Sequence, residues 1–420
     1  SGGHDVVIDF YGRAPLKARP DMFADRVARQ MPSGGGWELE GHVNEAGYLS
    51  VTAPGTVMGL WEVHSRFGSL PWAKLVEPAM ALAEQGITVS GELYSFWQRP
   101  AEPGALSPWQ ILNATPAMAA IYANNGQLYK PGEVLRNPEY AASLREIAAH
   151  GPDAMYRGAM ARRISDDFAR NGGLLCEDDL TQYRVREREP VVGTYRGYII
   201  SSNPPPGSGA QIIEILNILE GYNLARLGFG TPEYWHLVIQ AQRASFADRS
   251  SYLADPDFAD VPVDLLTSKD RAAYWRARID AGEAIRVGGP AQPREGTTTV
   301  SAMDEAGNAI NITHTLGTPC SGVVVPGLGF PFNNSMHHFH PRPGHPNSIA
   351  PGKARTTGMS PTIVYKDAKP WLVLGAPGAT KILTAIAQTI VNVIDHGMTP
   401  TEAVSAPRVY CEGGAAYVEA

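Results

Sequence analysis

The sequence predicts a mixed α/β (α+β) protein, helix-rich in its first part and strand-rich in its last. Between residues 51 and 175 apolar side chains recur at three- and four-residue spacing, the repeat of amphipathic helices. After Thr297 the repeat shortens to alternation over short runs, as in half-buried strands. A polar stretch with Gly and Pro, Ala284 to Glu295, separates the two textures and suits an exposed linker.

The elements follow in order. Asp5 to Phe10 reads as a strand. Thr56 to Phe67 and Trp72 to Gln85 read as helices parted by the breaker Gly68-Ser69-Leu70-Pro71, and Asn137 to His150 and Pro152 to Asn171 continue the helical pattern. Pro190 to Ser201 alternates as a hairpin. The loop Pro204-Pro205-Pro206-Gly207-Ser208-Gly209 opens a helix to about Leu219, and another runs from Pro232 to Leu253. Strands are expected over 297–303, Ala309 to Thr315, Gly322 to Val325, Pro361 to Tyr365 and Trp371 to Leu374. A helix from Thr380 to Asp395 and a short one capped by Thr399, with Pro400 at its first position, close the chain.

Composition narrows the function. The 420 residues are 44% hydrophobic and 18% charged, enough for a large core. A formal charge of -7 with no basic run argues against nucleic acid as a partner. No apolar stretch reaches the roughly eighteen residues of a spanning helix. Cys176, Cys320 and Cys411, three in all, suit neither a disulfide framework nor a thiolate zinc cage. The start, Ser1-Gly2-Gly3-His4, reads as that of a mature or truncated product and leaves cytoplasmic and periplasmic or secreted locations open.

The chemistry concentrates at Gly296-Thr297-Thr298-Thr299, followed by Val300 to Asp304 and the turn Glu305-Ala306-Gly307-Asn308. A threonine hydroxyl is a weak nucleophile, but a free α-amine on the same residue can serve as its base. That amine titrates near about pH 7.7, where a general base is effective. A threonine behind a glycine at a strand head, preceded by a linker, has the layout of a proenzyme that cuts itself. An isolated Thr-Thr-Thr would be an ordinary strand entry; the context carries the reading. A return through Gly307-Asn308 would bring Thr315 beside Thr297.

Many further segments carry a resemblance: Ala53-Pro54-Gly55-Thr56, Gly68-Ser69-Leu70-Pro71-Trp72, Asn203 to Gly209, Ala247-Asp248-Arg249, Ser321 to Gly327, Asn333-Asn334-Ser335-Met336, Met359-Ser360-Pro361-Thr362 and Ala406-Pro407-Arg408. In this order the chain resembles the γ-glutamyltranspeptidase family of N-terminal nucleophile hydrolases. Compared with that family, it is expected to begin after the first strands and helix and to stop before the last strands. The resemblance implies a four-layer αββα sandwich formed by two subunits cut from one chain. The cut falls between Gly296 and Thr297. The pieces are 1–296, ending in a processing linker over about 280–296, and 297–420, which together form one catalytic domain. Thr297 matches the nucleophile and Thr315 the second threonine that hydrogen-bonds it. Gly378 and Ala379, in Gly375-Ala376-Pro377-Gly378-Ala379, match the backbone pair of the oxyanion hole. A phosphate-loop reading of Gly375 to Lys381 fails, because Thr380 stands where a glycine must precede the lysine.

The substrate pocket departs from the family. Tyr11 stands where an arginine holds the α-carboxylate; Arg13, two residues on, could partly substitute. Gly317 replaces an asparagine. His338, after Ser335 in the Asn-Asn-x-Met segment, replaces the aspartate that receives the ammonium group. Thr357-Gly358 replaces a Ser-Ser pair. Losing a buried ion-pair partner costs about 3–5 kcal/mol. A histidine cannot attract an ammonium group; protonated, it favours a carboxylate.

The expected activity is therefore an autoprocessing amide hydrolase or acyltransferase working through an acyl-Thr297 intermediate. Its acyl group would be a dicarboxylic mono-amide or glutaryl-like chain. The alternatives are an ordinary γ-glutamyltransferase (glutathione hydrolase) and a non-processing binding protein. The partners are a small amide substrate, water or an amine acceptor, and its own cleaved subunit. No cofactor is expected. His338, His340 and His345 invite a metal reading, but no carboxylate or thiolate lies near them in sequence and the family uses none. Trp61, Trp72 and Trp235 read as core, His236 and His314 as packing residues. Cys320 lacks a His/Asp arrangement that would make it a nucleophile.

Overall fold

The computed structural model describes residues 5–30, 37–287 and 296–419. Strand β1 (Val7–Asp9) pairs antiparallel with β2 (Arg186–Arg188) and ties the start of the chain to its middle. Between residues 51 and 175 the four helices of twelve or more residues, among the described residues, are α1 (Thr56–Phe67), α2 (Trp72–Gln85), α3 (Pro138–His150) and α4 (Ala159–Arg170). Asn137 caps α3 by accepting from the Tyr140 amide, with Pro138 at the first position, where a missing N–H costs nothing.

The single helix expected over 152–171 is instead two, Asp153–Tyr156 and α4. Gly158 between them is extended (φ -93°, ψ -159°), and that residue pulls the chain out of the helical register.

Next come β3 (Val191–Tyr195) and β4 (Tyr198–Ser202), then α5 (Gly209–Leu219), α6 (Pro232–Tyr252) and α7 (Lys269–Asp280). The last part holds β5 (Thr297–Met303), β6 (Ala309–Thr315), β7 (Thr362–Lys366), β8 (Lys369–Leu374) and α8 (Lys381–Ile394). Strands β8-β7-β4-β3 form an antiparallel sheet that mixes both halves of the chain. All residues of α5 are buried, because this helix lies between the sheet and helices α6, α7 and α8. Ile212, Ile213, Leu216 and Leu219 meet Val191, Tyr195, Ile200 and Val364 from the sheet and Ile386 and Ile390 from α8. Truncating one of these leucines costs about 2–5 kcal/mol. The pair β5–β6 packs on β7 and β8.

Gly322 to Val325 is not a sheet strand. Its one strand-type pairing among the described residues is an isolated bridge, Val324 to Pro331. The alternation in sequence has another cause: Val323 and Val325 enter the cluster of Ile164 and Phe168, whereas Val324 enters that of Trp97 and Ile111. Each face of this extended segment is covered by a different helical core.

Candidate active site

The hairpin β5–β6 sets the geometry. Its turn closes where Asp304 Oδ1 accepts from the Asn308 amide at 2.8 Å and Gly307 takes φ +81°, a left-handed conformation suited to glycine. From there the register runs without a slip from Met303 opposite Ala309 to Thr297 opposite Thr315. At the open end the Thr315 hydroxyl donates to the carbonyl oxygen of Gly296 at 2.8 Å and accepts from the Gly317 amide at 3.0 Å. The peptide bond between Gly296 and Thr297 is thus held at its oxygen by the second threonine.

Gly296 and Gly317 approach so closely that a Cβ on Gly296 would lie 2.3 Å from the Gly317 oxygen. Gly317 itself takes φ +103°, and a Cβ there would lie 1.9 Å from Asn334 Oδ1. Asn334 clamps this loop: Oδ1 accepts from the Thr318 amide at 2.9 Å and its own amide donates to the Leu316 carbonyl at 2.8 Å. Gly317, expected as a lost substrate-binding asparagine, sits where the backbone conformation and Asn334 leave no room for a side chain.

The turn before α8 places Gly378 (φ +123°) and Ala379 (φ +52°) in left-handed conformations. Neither N–H is used within the described residues, and the turn heads a fourteen-residue helix. Two such amides at a helix N-terminus suit a developing negative charge. The turn is tied to the hairpin through Gly375, where a Cβ would lie 1.9 Å from Thr299 Oγ1, two residues beyond Thr297. It is tied to the pocket segment through Gly358, where a Cβ would lie 2.1 Å from the Ala379 oxygen.

Tyr11 and Arg13 go separate ways. The Tyr11 hydroxyl accepts from Asn203 Nδ2 at 2.8 Å, and that amide also donates to the Met359 carbonyl at 3.0 Å. Burial, then the Asp9 charge, hold the Tyr11 hydroxyl well above its ordinary range, so it stays neutral. Arg13 bridges Asp9 at 2.9 Å and Asp255 at 3.0 Å, with both carboxylates fully buried. The expectation that Arg13 partly substitutes for the missing arginine is corrected: its guanidinium is consumed by an internal ion pair that joins β1 to the chain after α6. A different arginine, Arg355, is buried near Tyr11, and the sequence reading did not single it out. Its only signal is position, two residues before Thr357-Gly358.

Thr357 is fixed at its backbone. Its amide donates to Pro206 O at 3.0 Å and its carbonyl accepts from the Ser208 hydroxyl at 2.7 Å. Ser335 is buried, its amide donating to Asn333 Oδ1 at 3.0 Å. His338 ends a 3-10 turn, Ser335–His338. The His340 ring stacks on His345 with centroids 4.6 Å apart. Among the described residues no group of three or more His, Cys, Asp or Glu could hold a metal ion. Burial pushes the Cys320 thiol up to about 11, the state of an inert thiol rather than a nucleophile.

The fold and this site define a hydrolase of the N-terminal nucleophile type. The likeness to solved structures agrees: cephalosporin acylase from Bacillus halodurans superposes with a TM-score of 0.83, at 28% identity, over 97% of this chain and 73% of that one. The sequence model for Gamma-glutamyltranspeptidase matches residues 1–419, and the chain belongs to that family. Among curated relatives, the acylase ACY 1 proenzyme of Pseudomonas sp. (strain SE83) is 40% identical over 99% of this chain and 74% of its own length. The glutathione hydrolase proenzyme of Escherichia coli (strain K12) is 37% identical over 97% and 71%. The protein is an amide hydrolase or acyltransferase of this family.

Proposed function

We propose that the chain cuts itself before Thr297 and then hydrolyses amides of a dicarboxylic acyl group through an acyl-Thr297 ester. The observation that carries this reading is the Thr315 hydroxyl on the Gly296 carbonyl oxygen. In processing, Thr297 Oγ1 attacks the Gly296 carbonyl carbon while Thr315 supports the charge growing on its oxygen. The C–N bond breaks, the nitrogen takes the proton, and water hydrolyses the resulting ester. The products are a carboxylate at Gly296 and a free α-amine on Thr297.

In turnover that amine accepts the hydroxyl proton as Thr297 attacks the substrate carbonyl, and returns it to the leaving amine. The amides of Gly378 and Ala379 receive the oxyanion, an interaction whose loss typically costs about 10²–10³-fold in rate. Water or an amine acceptor then resolves the ester, giving hydrolysis or acyl transfer. The two pieces stay together because β4 and β7 belong to one sheet, whose strands lie on either side of the cut.

The acyl preference follows from the pocket. Tyr11 is neutral, Arg13 is engaged, and a histidine, His338, stands where the family's aspartate would receive the ammonium group. These features disfavour an amino-acid head and favour an acyl chain whose far end is a carboxylate. The relatives named as acylase support this choice. The test is turnover of glutaryl- and γ-glutamyl-p-nitroanilide by processed protein. The glutaryl compound is expected to be preferred; ordinary turnover of the γ-glutamyl compound with none of the glutaryl one would refute the reading.

A further inference from the structure

Burying a guanidinium without an anion is costly, so a buried arginine normally sits on a carboxylate. Arg355 does not. It is 8% exposed, and its one hydrogen bond within the described residues runs from Nη1 to the Thr356 carbonyl at 3.0 Å. Its electrostatic neighbours are the Tyr11 hydroxyl, which is neutral, and a second guanidinium, that of Arg249. Burial, with Arg249 beside it, pulls Arg355 down to about 10, the response of a cation that lacks a counter-charge.

Arg249 is answered by the charge of Glu412, and its Nε lies 3.4 Å from the Ser208 hydroxyl. Glu412 offsets Arg249, Arg355 has no carboxylate partner among the described residues, and the site carries an unbalanced positive charge. Its location is specific. Ser208 holds the Thr357 carbonyl, Asn203 joins Tyr11 to Met359, and Gly358 between them packs on Ala379 of the turn before α8. The unbalanced charge lies along the segment that supports the oxyanion turn.

We infer that Arg355 receives the distal carboxylate of the acyl chain, so that the substrate supplies the anion that the buried Arg355 guanidinium lacks. The inference rests on the acylase reading above and names the residue that selects a dicarboxylic acyl group over a neutral one. Arg355 is then a binding residue and has no part in the proton transfers at Thr297.

The experiment measures calorimetric binding of glutarate and of butyrate, which lacks the second carboxylate, to processed protein and to Arg355→Met and Arg355→Lys. The unsubstituted protein is expected to prefer glutarate by at least about 30-fold. Arg355→Met should erase the preference and Arg355→Lys restore part of it. Arg355→Met should also melt no lower than the parent, since no protein anion is left unpaired. A preference that survives in Arg355→Met, or no preference in the unsubstituted protein, would overturn the inference. Glutaryl-p-nitroanilide turnover, measured alongside, tests the acylase reading separately: an Arg355-dependent glutarate preference without turnover would sink that reading and leave Arg355 in place.

Discussion

The Thr315 hydroxyl lies 2.8 Å from the carbonyl oxygen of Gly296, while Thr315 itself stands opposite Thr297 in the β5–β6 register. A single residue therefore holds the peptide bond that the proposed processing would break and stands across the hairpin from its proposed nucleophile. The Gly317 amide, donating to the same hydroxyl at 3.0 Å, orients the Thr315 proton toward Gly296.

Removing this donor should slow processing without unfolding the hairpin. Thr315→Ala is expected to lower the rate of conversion by about 10²-fold or more, on the scale of one lost oxyanion donor. Thr315→Ser should stay close to the parent. Denaturing gels sampled over time measure both; unchanged conversion in Thr315→Ala would remove Thr315 from the account.

Restoring the family's asparagine at position 317 should harm the protein. A side chain there requires φ +103° and meets Asn334 Oδ1 at 1.9 Å. Gly317→Asn is expected to cost about 2–3 kcal/mol and to disturb the loop that positions Gly296. Chemical denaturation gives the number, and a variant as stable as the parent would show that the loop has another conformation available.

Arg13→Ala should act on stability rather than on substrate affinity. Asp9 keeps Arg188 at 2.9 Å, but Asp255 loses a partner at 3.0 Å and its nearest remaining cation is Arg188 at 3.7 Å. The expected loss is about 3–5 kcal/mol. A raised KM with unchanged melting would return Arg13 to the substrate pocket.

Glu214 makes a pH prediction. Its carboxyl group is buried in the middle of α5, and burial, then the hydrogen bond and charge of nearby Asp248, hold it well above the ordinary value of 4.5. The folded state therefore binds the proton more tightly than the unfolded one. Stability attributable to this group is complete below pH 4.5 and declines as pH rises toward the folded value, by up to about 1.4 kcal/mol per pH unit. Glu214→Gln should gain stability over the parent at pH 7 relative to pH 4. A difference independent of pH would contradict this.

Much of this architecture was legible in the chain because it depends on local chemistry. The Asp304 to Asn308 turn and alternation fixed a hairpin whose length alone puts Thr315 opposite Thr297. Thr399-Pro400 marked a helix start through capping. The fate of Arg13 was not legible, because its partner Asp255 lies 242 residues away and no periodicity announces such a pair. The same holds for Arg355, whose meaning comes from what is missing around it. The valines at 323–325 misled because alternation reports two covered faces, and here the covers are helical clusters rather than a sheet.

Intact-mass analysis of the purified protein, with sequencing of the new N-terminus, tests the central claim most directly. The account predicts two pieces, the second beginning at Thr297, and a single uncut chain for Thr297→Ala. An uncut chain in the unsubstituted protein, or a cut that leaves any residue other than Thr297 at the new N-terminus, would contradict it.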